Sequence, residues 1–317
     1  MIKFKAYSAI WGFVVGDALG VPHEFRNRES FATFPVADMI AGGTHLQPIG
    51  TWSDDTSLLL CVLENNYNRG DSKSLAKLFL SWYQDGYQAA HGKLFDIGIT
   101  TQLAFDRIIK GVPISKSGLC DKNSAGNGSL MRSLPYSFIE DFSEGAYKMV
   151  LDNKITHCLP ICHESCLFYI RMARSLAEGQ SKDEALDEAA RYLRMGWRIS
   201  DQSIDKVFTP FQRLFSKSFA LTSIDRIYSN GYVIHTLEAA IWSFLNGDDY
   251  RSCVLKAVNL GGDTDTIAAL TGGLAGIFYG ISDIPSKWRR SIVSCDKIDM
   301  MLRKWLGIEV ASQNDIR

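Results

Sequence analysis

Apolar positions recur three and four residues apart along most of this chain. The spacing predicts helices over Tyr7–Val15, Ser57–Tyr67, Ser74–Tyr83 and Ile97–Ile109. It returns over Glu164–Glu178, Lys182–Met195, Tyr232–Leu245, Arg251–Val258 and Asp296–Leu306. Alternating strand patterns are almost absent. The expected fold class is therefore all-α, a single compact multi-helix bundle. Residues 1–310 form the predicted domain, and 311–317 a polar tail. Two stretches lack a period. Residues 26–50, rich in Gly, Thr and Pro, read as a lid or binding loop, and 200–230 is less regular.

Against this background the run Asn259–Gly280 stands out. Asp263, Asp265 and Thr266 follow a Gly-Gly pair, and an uncharged small-residue run continues to Gly280. One Asp at such a point caps a helix and suits its dipole. A second Asp two residues on suggests hard-cation binding. Asp54 and Asp55 repeat the pattern between Ser53 and Thr56, ahead of the helix predicted at Ser57. Adjacent carboxylates repel unless a cation or a strong dipole neutralises them. The two tips could hold one or two Mg²⁺ or Mn²⁺ ions, which prefer oxygen donors. Two independent N-caps are the plainer alternative, although capping needs one acceptor rather than several.

Two further places carry candidate chemistry. Gly20 and Pro22 stop the first helix and leave Glu24 on a loop, where a solvated carboxylate is the commoner outcome. Ser124–Arg132 is a small-residue turn expected to lead into a helix, and its N–H groups could bind an anion. Gly-Asn-Gly is more often just a turn, and neither a P-loop nor a dinucleotide fingerprint is present.

Composition narrows the partners. Hydrophobic residues make up 46% and charged residues 22%, ordinary for a globular protein. A net charge of −1 gives no field for nucleic acid or an acidic membrane. No leader peptide or membrane span is expected, since the Ile267–Gly280 run is short and Gly-broken. The seven cysteines form no CxxC pair, so reduced thiols and a cytoplasmic location are expected. Zinc at Cys158, Cys162 and Cys166 with His157 and His163 is disfavoured, because Pro160 would interrupt a helix through the set.

Taken in order, several motifs resemble the ADP-ribosylglycohydrolase family. They are Gly16–Glu24 (GDALGVPHE), Ser53–Thr56, Gly126–Arg132 (GNGSLMR), Thr156-His157 with Pro160, and Gly261–Thr266 (GGDTDT). Trp82, Asp85-Gly86-Tyr87 and Phe95-Asp96-Ile97-Gly98 are similar to the branch that removes ADP-ribose from arginine. The resemblance implies a binuclear Mg²⁺ or Mn²⁺ centre held by Ser53, Asp54, Asp55, Asp263, Asp265 and Thr266. Glu24, Asp96 and Asp55 would be the catalytic carboxylates. Gly126, Asn127, Gly128 and Ser129 would hold the pyrophosphate, with His157 on the ADP-ribose side.

The implied activity is hydrolysis of ADP-ribose from modified protein, most directly from arginine. The alternatives are hydrolysis of serine-linked ADP-ribose, and an immunity-type protein that occludes an ADP-ribosyltransferase toxin. Two positions depart from the family pattern. Ser53 stands where Thr is usual, which keeps the oxygen and frees the rotamer. Ile99 stands where the reactivating branch commonly has Asn.

Overall fold

The structure is a computed structural model that describes residues 2–199 and 209–308. The expected tail, the boundary at 310 and the start of the 200–230 segment lie outside the described residues. Two helices form the centre. They are α1 (Ile2–Gly20) and α11 (Thr264–Tyr279), and both are apolar almost all the way round. Such helices must be enclosed, and nearly every residue of α11 is buried.

Glycine lets their backbones touch. A Cβ at Gly12 would strike the Gly272 carbonyl oxygen, one at Gly16 that of Ala268, and one at Gly20 the Asp265 backbone. Gly276 meets Ser8 in the same way. The pairings run in opposite directions along the two segments, so the helices are antiparallel. The C-terminal end of α1 thus lies beside the N-terminal tip of α11. Tyr250 locks the crossing by donating to Gly12 O at 2.6 Å.

The remaining helices wrap this pair. They are α2 (Glu29–Thr33), α3 (Asp54–Tyr67), α4 (Ser72–Asp85), α5 (Ile99–Ile109) and α6 (Phe142–Asn153). Then come α7 (Pro160–Ala177), α8 (Lys182–Ile199), α9 (Val233–Leu245) and α10 (Tyr250–Val258). The C-terminal pair is α12 (Ser286–Ser291) and α13 (Cys295–Leu306). Among the described residues only isolated bridges occur, one of them joining Gly126 to Tyr232. No described helix is long and apolar enough to cross a membrane.

The expected all-α bundle is what forms, with corrections in detail. Helices α2, α6 and α12 add to the expected set. Pro160 does not interrupt a helix but opens α7 at its first turn, where its missing N–H is harmless. The Ser124–Arg132 turn leads into a 3₁₀ turn at Leu134–Phe138 and not an α-helix. No helix dipole therefore adds to its N–H groups. The cysteines depart from the reduced expectation: Cys120 and Cys158 pair as a disulfide, with Cα atoms 5.0 Å apart, and the other five are free.

Candidate active site

Asp17 explains how α3 reaches the centre. It sits near the end of α1, fully buried, and adds acceptors from another helix to the Ser53 N-cap of α3. Its Oδ1 accepts from Ser53 N at 3.0 Å, and its Oδ2 from Thr56 N at 3.0 Å and Thr56 Oγ1 at 2.5 Å. Those bonds fix the α3 tip with Asp54 and Asp55 beside the tip of α11. Thr266 Oγ1 then donates to Asp55 Oδ2 at 3.2 Å, across 211 residues of sequence.

The carboxylates there are not used up by capping. Asp263 holds the N-cap position of α11 but accepts nothing from its own helix backbone. Its Oδ2 instead accepts from Asn127 Nδ2 at 2.6 Å. Asp55 Oδ2 accepts from Ser53 Oγ at 3.1 Å, whereas Asp55 Oδ1 is buried with no hydrogen-bond partner. Glu24 is buried rather than solvated. The next residue, Phe25, has φ +62° and donates its N–H to Gly262 O at 2.7 Å, which turns the chain over the α11 tip. One Glu24 oxygen lies 2.5 Å from His45 Nε2. Ligand atoms of Glu24, Asp263 and Asp265 lie within 4.8 Å of one another, as do those of Glu24, His45 and Asp96.

These residues line a cavity of about 440 Å³, within the usual size of a small-molecule site. Its wall includes Glu24, Asp54, Asp55, Asp96, Asp263, Asp265 and Thr266 on one side, and Gly126, Asn127, Gly128 and His157 on another. Phe25 and Ile99 stand at its edge, both largely exposed.

Crowding shapes the electrostatics. Burial raises Asp54 well above the ordinary carboxyl range, and Asp96 and Glu24 add to it. Asp55 and Asp265 are raised in the same way, first by burial and then by neighbouring carboxylates. Burial pushes Glu24 up to about 7; the His45 hydrogen bond opposes this, and Asp96 and Asp263 reinforce it. A cluster of acids raised by desolvation and mutual repulsion is what a cation would relieve. All its donors are hard oxygens, and one of them is unpartnered, so the set can hold a divalent metal.

The turn at Gly126 is tied to α9. Gly231 O accepts from Asn127 N at 3.1 Å, and Ala125 O from Val233 N at 3.0 Å. The N–H groups of Gly128 and Ser129 have no protein acceptor among the described residues. A Cβ at Gly128 would press on His157 and Thr101, so only glycine fits.

Most of the expected set therefore converges on one cavity. Ser53 and Ser129 do not line it. Ser53 lies behind Asp55, and the fully buried Ser129 side chain faces Cys166. Three residues at the site escaped sequence reasoning. Asp17 carried a usable signal, an acid within an otherwise apolar helix. His45 lay in an aperiodic loop, and Arg132 ended a motif without an evident role.

Comparison with known proteins agrees with the geometry. A sequence model of the ADP-ribosylglycohydrolase family matches residues 2–314. The chain belongs to this family. Among similar ADP-ribosylglycohydrolases is the "ADP-ribosylarginine hydrolase Tri1" of Serratia proteamaculans, 34% identical over 93% of this chain and 76% of that protein. The "ADP-ribosyl-[dinitrogen reductase] glycohydrolase" of Rhodospirillum rubrum is 27% identical over 96% of this chain and 94% of its own. A solved structure titled "ADP-ribosylglycohydrolase-related protein complex" superposes with a TM-score of 0.79 at 29% identity, covering 98% of this chain and 99% of that one.

Proposed function

We propose that this ADP-ribosylglycohydrolase cleaves the N-glycosidic bond between ADP-ribose and a protein arginine, reversing mono-ADP-ribosylation. The observation that carries the reading is the Thr266–Asp55 contact, which joins two acidic tips in a cavity that also holds the Gly126–Gly128 turn. The names of the Serratia and Rhodospirillum relatives support the arginine linkage over serine.

Asp54, Asp55, Asp263, Asp265 and Thr266, backed by Ser53 and joined by Glu24, would hold two Mg²⁺ or Mn²⁺ ions. When bound, such ions supply Lewis acidity and fix hydroxyl-bearing substrates in place. Positive charge develops on the ribose as the guanidine leaves. The cluster presents fixed negative charge where that charge grows. Glu24 and Asp96 are the carboxyls placed to move protons, one to the leaving nitrogen and one from the attacking water. Without cations, burial and the neighbouring Asp96 and Asp263 push Glu24 up to about 7. The Gly126–Gly128 turn, with the Gly128 N–H free of a protein acceptor among the described residues and His157 beside it, would take the pyrophosphate.

The complete oxygen set favours turnover over simple occlusion of a transferase. The reading also places the protein in the cytoplasm, with its modified substrate protein. Release of ADP-ribose from arginine-linked and serine-linked peptides, measured side by side, tests it. Release from the arginine peptide is expected, with Asp54→Ala and Asp263→Ala inactive. Full activity in either variant would remove the metal site from the mechanism, and serine-only release would overturn the linkage.

A further inference from the structure

Arg132 is a buried cation that the chemistry above does not use. It is 1% exposed, and no carboxylate forms an ion pair with it among the described residues. A buried, unpaired charge is costly, so its surroundings must hold it well. Nη1 donates to Gly128 O at 2.6 Å, and Nη2 donates to Thr156 Oγ1 at 2.6 Å. The guanidinium carbon sits 4.8 Å from the centre of the Phe79 ring. Thr156 Oγ1 in turn lies 2.8 Å from His157 Nδ1.

We propose that Arg132, through Gly128 and Thr156, is the positioning residue of the anion-binding wall. The inference rests on the ADP-ribose reading of that wall. Two consequences follow from donor and acceptor chemistry. First, a trans peptide sets its C=O and the next N–H on opposite sides. With Gly128 O drawn onto the guanidinium, Ser129 N–H is turned away from it and left without a protein acceptor. Second, guanidinium can only donate. Thr156 Oγ1 therefore accepts from Arg132, and His157 Nδ1 is the acceptor within reach of its own proton among the described residues, the direction the proposal takes. Burial, the nearby Arg132 charge and His163 lower His157 to about 3, so the ring is neutral. Its single proton is then on Nε2, and His157 lines the cavity as a hydrogen-bond donor. One cation thus fixes the Gly128 peptide in the wall, sets His157 as a donor into the cavity, and adds positive charge behind both. Lysine would replace the planar fork, whose two nitrogens each reach one acceptor, by a single point donor.

Thr156→Val keeps shape and removes the link, Thr156→Ser restores it, and Arg132→Lys keeps charge without the fork. Two readouts are taken on each: the Kd of free ADP-ribose by calorimetry, and the imidazole ¹⁵N shifts of His157. The Val and Lys variants are expected to weaken ADP-ribose by about tenfold, the scale of one charge-assisted hydrogen bond. In the Val variant His157 loses its pure Nε2–H signature, and the Ser variant matches wild type in both. Unchanged His157 shifts in Thr156→Val, or wild-type ADP-ribose affinity in both Val and Lys variants, would overturn the proposal. The shifts need no ligand. A wild-type protein that fails to bind ADP-ribose would thus sink the functional reading alone, while the His157 signature still decides this one.

Discussion

At the scale of single residues, acids are placed where water cannot soften their repulsion. In the absence of cations, Glu24 in the folded state takes up protons as pH falls through about 7, whereas an unfolded Glu does so only near its ordinary value of 4.5. The folded state therefore binds more protons in that window, and stability rises as pH falls through it. The melting temperature in chelator is expected to increase from pH 8 to about pH 6.5, above the range where the lowered His23 and His157 oppose it. Saturating Mg²⁺ should flatten that slope, because the cation replaces the proton as the neutralising charge; an unchanged slope would count against the metal site. Asp17 has a different task. Asn there would set an amide donor against the Ser53 and Thr56 donors it now accepts from. Asp17→Asn is expected to cost about 1–3 kcal/mol in denaturant unfolding, and to lower activity without removing any cavity-lining group.

At the scale of elements, glycine decides what can approach what. Gly16 lies against the Ala268 carbonyl with no room for a β-carbon. Gly16→Val is expected to destabilise by on the order of 3 kcal/mol through overpacking, read as a lower unfolding midpoint. Long apolar helices were legible from periodicity because burial on one stripe writes itself into the sequence. Helix α6 was not, although Asp141 caps it by accepting from Ser143 N at 2.8 Å. Gly145 breaks its run, and its buried face is narrow. The turn after Gly126 misled in the other direction. It has helix-start residues, but Asn127 N–H goes to Gly231 O instead.

At the scale of the whole molecule, the site exists only because the chain returns on itself. The acidic tips were legible as unusual local chemistry, and the family's motifs told which distant pieces belong together. Their convergence was expected from that chemistry, but the means of it was not legible, since Asp17 in α1 and the glycine faces of α1 and α11 supply it by tertiary contact. Metal binding should accordingly report on the assembled fold. Mg²⁺ is expected to raise the melting temperature, and to go on raising it with the logarithm of free Mg²⁺ above its Kd. Asp263→Ala should lose that rise in a thermal scan while remaining folded.

The Asn127–Asp263 hydrogen bond has a reach beyond its 2.6 Å. Asn127 belongs to the Gly126–Gly128 wall proposed for the phosphates, and Asp263 to the acid set, so neither half can be ordered without steadying the other. Cation and nucleotide affinities should then be thermodynamically linked, each strengthening the other by the same factor. Mg²⁺ titrations with and without ADP-ribose would display that cooperativity, and Asn127→Ala would uncouple them.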